Sequence, residues 1–260
     1  MRFRPCIDIH NGRVKQIVGS SLRDGGNTAV DNFVSDYDAA YYAARYREDQ
    51  LEGGHIILLN PPGSEYYEAD CRQAEKALDA YPGGMQLGGG VTAESAARFI
   101  ERGASHVIVT SYVFRQGQID YGNLKKLEEA VGRERIVLDL SCRRRDDSYY
   151  IVTDRWQKYT DVEVNHDTLE TLAQHCGEFL IHAVDVEEKS GGIDEVLAER
   201  IGSWKGIPVT YAGGVRNMED LKRLEEAGGG RLDVTVGSAL DLFGGALKYE
   251  DVVAYCRGSR

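Results

Sequence analysis

The second half of this chain repeats the first. Gln86-Leu87-Gly88-Gly89-Gly90-Val91 recurs as Thr210-Tyr211-Ala212-Gly213-Gly214-Val215, Val109-Thr110-Ser111 as Val236-Gly237-Ser238, and Cys6-Ile7-Asp8-Ile9 as Val137-Leu138-Asp139-Leu140. The offsets are 124, 127 and 131 residues, close to half of the 260, and the order is the same in both copies. Each copy carries one Asp in an apolar run and two small-residue turns. A fold that satisfies this has a two-fold arrangement, with two opposed carboxyl groups and two opposed turns suited to anions.

The rest of the pattern says what is duplicated. Short apolar runs at 5–9, 55–59, 84–87, 106–110, 135–140, 179–184, 208–211 and 233–236 alternate with amphipathic stretches. Most runs are continuous rather than alternating, as expected of parallel strands buried on both faces. The amphipathic stretches at 36–51, 68–81, 93–102, 121–131, 168–176, 193–203, 218–227 and 249–257 predict helices. Thr92 and Asn217 are candidate N-caps, and Gly103, Gly132, Gly177 and Gly228 sit just past helix ends. Eight strand-then-helix units predict an α/β fold, a single (β/α)8 TIM barrel over 1–260 built from half-barrels at about 1–132 and 133–260. Two long irregular stretches, 19–35 and 141–165, follow the first and fifth strands. Both fall at the C-terminal face, where barrel enzymes place their sites, and loops of that length are usually functional.

Composition narrows the partners. The formal net charge is −11 and there is no long Lys/Arg block, which argues against a nucleic-acid surface. Arg143-Arg144-Arg145 is the one basic cluster and Asp146-Asp147 follow at once; it reads as a solvated loop, or as a loop that closes on a substrate phosphate. No apolar run approaches the ~20 residues of a membrane span, and the N-terminus lacks a signal peptide's apolar stretch. Five scattered cysteines without a C-x-x-C predict neither a disulfide framework nor a zinc site. The expectation is a cytoplasmic monomer with no metal, no cofactor and a small-molecule substrate.

Asp8 and Asp139 carry the chemistry in this reading. Each lies near the end of a strand inside an apolar run, where a carboxylate is costly unless paired or used. The first and fifth strands of such a barrel face each other, so the two carboxyls flank a substrate, one to take a proton and one to give it. Gly89 and Gly90, and Gly213 and Gly214, each follow a strand and open a helix, which suits a phosphate. One unit later come Thr110 and Ser111 in the first copy and Gly237 and Ser238 in the second, and Gly192 follows the sixth strand. His182 at the end of that strand reads equally as a proton shuttle or as a satisfied strand histidine. Trp156 in the long fifth loop reads equally as a cover for a planar heterocycle or as packing. Cys6 reads as core filler one layer below Asp8.

Taken together, Arg4-Pro5-Cys6-Ile7-Asp8-Ile9-His10-Asn11-Gly12-Arg13-Val14-Lys15-Gln16-Ile17-Val18, Ile181-His182-Ala183-Val184-Asp185-Val186-Glu187, Gly191-Gly192-Ile193-Asp194 and Val236-Gly237-Ser238-Ala239-Leu240 resemble the ProFAR isomerases of histidine biosynthesis, in their eukaryotic-type branch. The resemblance implies an Amadori rearrangement of an aminoaldose to an aminoketose, without a cofactor, on a ribotide phosphorylated at both ends. It implies that Asp139 is the general acid that opens the ribose ring and Asp8 the base that takes the C2′ proton; symmetry alone allows the reverse. Two departures from the family pattern stand out. His182 aligns with a threonine of the bacterial branch, and Thr110 replaces a glycine common at the phosphate turn, adding a hydroxyl there.

The nearest alternative is the imidazole glycerol phosphate synthase cyclase subunit of the same pathway, whose pattern has a lysine where Gln16 stands. Phosphoribosylanthranilate isomerase, with a Cys/Asp pair, would use Cys6 and Asp139 but leaves the second glycine turn unexplained. A non-catalytic bisphosphate-binding barrel is the third, against which the retained Asp pair argues.

Overall fold

The computed structural model describes residues 1–17, 31–189 and 191–258. Eight parallel strands form its centre: β1 Cys6–His10, β2 Gly54–Leu58, β3 Met85–Gly88, β4 Val107–Val109, β5 Ile136–Asp139, β6 Glu178–His182, β7 Val209–Ala212 and β8 Asp233–Thr235. Each pairs with the next in sequence order. The sheet closes where Phe3 bridges Val234, with Arg4 N–H donating to Val234 O at 2.8 Å and Val234 N–H to Arg2 O at 2.9 Å. All eight strands fall within one or two residues of the apolar runs, and the chain is a (β/α)8 barrel.

Around the strands lie α1 Ala39–Glu48, α2 Tyr67–Ala80, α3 Ala93–Glu101, α4 Tyr121–Val131, α5 His166–Leu172, the short α6 Val184–Lys189, α7 Glu195–Ser203, α8 Met218–Ala227 and α9 Tyr249–Gly258. The caps are where the sequence places them: Asn217 accepts from Asp220 N–H, and Thr92 N–H donates to the Ser95 hydroxyl. Helix α5 starts two residues earlier than expected because Asn165 caps it, accepting from Thr168 N–H at 2.9 Å.

Strand parity separates two cores. Ile7, Ile56, Leu87, Val107, Leu138, Phe179, Ile181 and Val234 join the large cluster shared with the helices, whereas Ile108, Val137, Leu180 and Ala212, with Ile57 beside them, form a small cluster of their own. The small cluster fills the barrel. Beneath it the buried Arg4 guanidinium meets Asp233 at 3.0 Å and Glu178 at 3.4 Å, and Thr210 Oγ1 donates to Glu178 at 3.1 Å. One cation thus ties the segment leading into β1 to β6 and β8 at the N-terminal end. Among the described residues, a floor that is apolar in its middle layer and ionically plugged below puts the open space at the C-terminal mouth.

The loops differ from the sequence reading. The fifth loop is not irregular: Cys142–Arg145, Ser148–Thr153 and Lys158–Glu163 form a three-stranded antiparallel sheet. Its second and third strands carry β-branched and aromatic residues (Tyr149, Tyr150, Ile151, Val152, Thr153; Tyr159, Thr160, Val162), and its tight turns take Asp146, Asp154, Arg155 and Trp156 at positive φ. After β1, Asn11 and Gly12 at φ 53° and 73° make a two-residue hairpin turn into the strand Arg13–Ile17. Asp31–Val34 pairs with that strand in turn. Of the expected first loop, residues 19–30 lie outside the described residues.

Candidate active site

The C-terminal mouth holds a cavity of about 520 Å³, within the ordinary range of small-molecule sites. Asp8, Asp139, His182 and Trp156 line it together with Gln16, His55, Ser141, Glu187 and Arg216. The sequence placed the first four at one site, and the structure brings them to one cavity.

Asp8 ends the inward face of β1. Its carboxylate is half-buried and accepts one hydrogen bond, from Gln16 Nε2 at 3.0 Å. The hairpin turn at Asn11-Gly12 folds Gln16 back over β1 to make that contact. Burial pushes Asp8 up to about 7; the His182 charge opposes this, Glu187 adds to it and the Gln16 hydrogen bond opposes it. Asp8 therefore changes protonation near neutrality, where a general base is most effective. Below it, burial and then the Asp8 charge push the Cys6 thiol well above its ordinary value. Burial thus favours the neutral thiol at Cys6.

Asp139, the counterpart on β5, has different neighbours. Ser141 donates to Oδ1 twice, from its N–H at 2.8 Å and its hydroxyl at 2.7 Å, and Thr110 Oγ1 donates to Oδ2 at 3.0 Å. Ser141 sits two residues past the strand end, where the chain turns into the fifth loop. The Thr110 hydroxyl, expected at a phosphate, is directed at the carboxylate instead. The Thr110 hydroxyl can also turn and accept.

His182 closes β6 and Glu187 follows on α6. Nε2 of His182 lies 3.5 Å from Glu187 Oε2. Burial works against charging the imidazole, but Glu187, then Asp139 and Asp8, outweigh it and hold His182 above its ordinary value. Burial likewise works against the Glu187 carboxylate, yet His182 and the Gly214 N–H hold it below its ordinary range. His55 on the cavity floor is pulled down to about 4 by burial and by His182, so it is neutral. Trp156 stands edge-on to the His182 ring, centroids 4.7 Å apart. It is held there by Arg143, whose Nε donates to Trp156 O at 3.1 Å and whose Nη1 reaches Asp185 at 3.1 Å. The Trp156 ring thus lines part of the mouth.

The two glycine turns match in shape. Gly89 and Gly213 have φ of 104° and 108°, and Gly90 and Gly214 have 69° and 78°. A Cβ at Gly89 would overlap the Leu58 carbonyl, and one at Gly213 would press the Ala183 carbonyl at 3.0 Å. Close backbone packing and positive φ therefore demand glycine at both turns, whatever they bind. They differ in their relation to the cavity. Gly213, Gly214, Gly237 and Ser238 line it; Gly89, Gly90, Thr110 and Ser111 are not among its lining residues. Gly192, at φ 91°, packs its backbone beneath Gly214 and leaves room for the Arg216 guanidinium. Arg216 is anchored by the buried Asp220 at 2.8 Å. No group of His, Cys, Asp or Glu among the described residues is arranged to hold a metal ion.

Sequence reasoning missed Gln16 and Ser141 as carboxylate partners, the floor residue His55, and Arg216. The hairpin signal Asn11-Gly12 would have found Gln16, since it folds the next strand onto Asp8. Nothing local marks Ser141.

Comparison with known proteins gives these residues a setting. Residues 2–247 match the family described as histidine biosynthesis protein. A chloroplastic 1-(5-phosphoribosyl)-5-((5-phosphoribosylamino)methylideneamino)imidazole-4-carboxamide isomerase of Medicago truncatula is 54% identical over 98% of this chain and 81% of its own length. Isomerases of the same name are 46% identical in Neurospora crassa, over 94% of this chain and 93% of theirs. In Saccharomyces cerevisiae the figure is 41%, over 96% of each.

Proposed function

The chain belongs to the histidine biosynthesis protein family, and on that premise we propose that it isomerises ProFAR with Asp8 and Asp139 as its acid–base pair. It is an aldose–ketose isomerase of histidine biosynthesis, performing an Amadori rearrangement of the aminoaldose to the aminoketose. The observation that carries the residue assignment is the opposed pair itself: two carboxyls from β1 and β5 line one cavity, with unlike hydrogen-bond partners.

Asp139 gives a proton to the ribose ring oxygen, the C1′–O bond breaks, and the nitrogen's lone pair forms a protonated Schiff base with C1′. That positive charge acidifies C2′, and Asp8, ionised near neutrality, takes its proton to leave an enaminol. The ketone forms when Asp8 returns the proton to C1′ and the C2′ hydroxyl gives its own to Asp139. Both carboxyls are thereby reset, and no redox partner enters the balance. The turn at Gly213, Gly214, Gly237 and Ser238, beside Arg216, takes one phosphate. The second phosphate goes to the matching turn at Gly89, Gly90 and Ser111, with Thr110 serving Asp139 beside it.

The half-barrels at about 1–132 and 133–260 are the duplicated units, and one monomer holds both carboxyls. Five buried cysteines outside any disulfide support a reducing compartment such as the cytoplasm; no described helix is long and apolar enough to cross a membrane. A spectrophotometric assay with ProFAR alone tests the activity. Turnover without a partner or added metal supports it; consumption of the ketose only with ammonia moves the chain to the cyclase. Asp8→Asn and Asp139→Asn each abolish most turnover and leave bisphosphate binding largely intact; near-normal turnover in either refutes the pair.

A further inference from the structure

Asp139 and Asp8 hold their partners in different ways. Ser141 reaches Asp139 from two residues along its own chain. Gln16 reaches Asp8 from eight residues along, by a long side chain on the return strand of a hairpin. That strand is in register with β1 at Ile9↔Val14 and His10↔Arg13, next to the turn. Where the Gln16 amide falls is therefore decided by how the turn at Asn11-Gly12 sits on the barrel. The amide has little latitude: a Cβ at Gly237 would meet Gln16 Oε1 at 2.6 Å.

Two fully buried polar side chains grip that turn. Asn60, just past the end of β2, accepts the Asn11 N–H on Oδ1 at 2.7 Å and donates from Nδ2 to Asn11 Oδ1 at 2.9 Å. Asp70 on α2 accepts the Gly12 N–H at 2.7 Å and the Asn60 N–H at 3.4 Å. Gly12 itself lies against α2, where a Cβ would come within 3.0 Å of Ala69 Cβ. Asn-Gly is the pair best suited to a two-residue hairpin turn by its backbone alone. Burying a carboxylate is costly, and burial raises Asp70 to about 6 even with the Gly12 and Asn60 N–H groups and Lys15 opposing. So much polar burial exceeds what the turn needs. What it fixes is the seat of the hairpin on the barrel.

We propose that Asn60 and Asp70 are positioning residues for the reaction, gripping the Asn11-Gly12 turn so that Gln16 stays hydrogen-bonded to the Asp8 carboxylate. Neither lines the cavity; both act through Gln16. Their bearing on turnover rests on the isomerase reading, in which Asp8 is the base. A donor held on a carboxylate favours its ionised form, so Asp8 ionises at a lower pH with the clamp in place than without it. The charged groups facing Asp8 are His182 from β6 and Glu187 from α6. His55 on β2 and Cys6 on β1 are kept neutral by burial, and Lys15 on the hairpin is paired with Asp31 at 3.0 Å. Removing a negative charge at any distance lowers a carboxylate's pKa. A rise at Asp8 on removing Asp70 therefore comes through Gln16 and not through the lost charge.

The test reads the Asp8 carboxyl directly, by carbon-13 NMR of the aspartate-labelled protein with its signal assigned by loss in Asp8→Asn, alongside the pH profile of kcat/KM on ProFAR. In Asp70→Ala the Asp8 midpoint and the acid limb both rise by about half to one pH unit, as far as in Gln16→Leu. At about pH 6 that is a loss of about three- to tenfold in kcat/KM. Asp70→Asn, which keeps an acceptor for the Gly12 N–H, recovers part of the shift. The double variant Gln16→Leu with Asp70→Ala titrates where Gln16→Leu alone does, because the clamp has nothing left to act through. Asn60→Ser, a milder cut, shifts Asp8 the same way by less and carries the test where Asp70→Ala does not fold. An Asp8 midpoint that stays in place or falls in the folded variants, or a double variant displaced beyond Gln16→Leu, overturns the proposal and leaves the clamp a purely structural device. A wild type inactive on ProFAR overturns the isomerase reading, and the carboxyl titration still decides the clamp.

Discussion

Replacing Asp8 with Asn should remove the proposed base and stabilise the fold, and the two effects separate by pH. The Asp8 carboxyl is raised from 3.8 to about 7 in the folded chain, chiefly by burial. Below about pH 4 it is protonated in both folded and unfolded chains and contributes nothing. Between 4 and 7 the folded chain retains a proton that the unfolded chain has lost, so stability falls as pH rises. Above 7 the full cost of the buried charge is present. About three pH units at 1.36 kcal/mol each set a ceiling of about 4 kcal/mol. Water in the open mouth screens part of the burial, and we expect about 1–3 kcal/mol. The amide oxygen introduced by Asp8→Asn still accepts from Gln16, so no donor is orphaned. At about 2–4 °C per kcal/mol for a chain of this size, Asp8→Asn should melt about 2–12 °C above wild type at pH 8. Scanning calorimetry at pH 5, 6.5 and 8 reads this directly: the gain grows with pH and levels off beyond 8. A gain independent of pH, or a variant less stable than wild type at pH 8, refutes the claim that Asp8 is held as a strained base.

Three further substitutions test other parts of the argument. Thr110→Val removes the donor to Asp139 Oδ2 at constant shape, and should lower kcat about 10–100-fold with KM nearly unchanged; a loss confined to KM would return the hydroxyl to phosphate binding. Gly89→Ala forces a Cβ into the Leu58 carbonyl at φ 104° and should cost about 2 kcal/mol or more of stability in urea melts, even in the absence of substrate. Arg4→Met takes from Glu178 its cationic partner and leaves Asp233 to Arg2 alone at the barrel floor, and should cost about 3 kcal/mol while leaving the pH profile of catalysis in place.

The fold was legible because each strand announces itself twice, once as an apolar run and once through its copy. Cys6–His10 and Ile136–Asp139 are the clearest case: neither run alone excludes a buried helix segment, but two runs at one offset with Asp at one phase do. What escaped was set by contacts distant in sequence. The fifth loop reads as irregular because Arg143-Arg144-Arg145 and Asp146-Asp147 suggest a solvated turn, yet the hairpin Ser148–Thr153 with Lys158–Glu163 packs beside that cluster. The Arg143 charge, open to a phosphate in the sequence reading, is engaged by Asp185 and the Trp156 carbonyl. Thr110 likewise reads as a phosphate ligand from its place in the repeat, and only the β4–β5 pairing shows that it abuts Asp139.

Duplication supplies two equal carboxyls, and equality is what acid–base catalysis cannot use. The copies differ in what surrounds each Asp. The copy on β1 received Gln16 from a hairpin, a single neutral donor, and a burial that lifts the carboxyl to about 7. The copy on β5 received Ser141 and Thr110, three hydrogen bonds that fix its orientation. The register differs as well: Asp8 pairs with Ile57 and Asp139 with Leu180, two residues short of His182. That offset of two preserves facing while moving the histidine one layer further toward the mouth. A symmetric scaffold thus places two carboxyl groups at one cavity, and in the proposed mechanism their asymmetric partners divide the work between them. Exchanging the partners therefore tests the division more sharply than deleting either Asp: Gln16→Leu leaves Asp8 without its donor and should raise its kinetic midpoint, shifting the acid limb of kcat/KM upward. The same limb should stay in place in Ser141→Ala. If both variants move it alike, the two carboxyls are not specialised and the assignment of base to Asp8 fails.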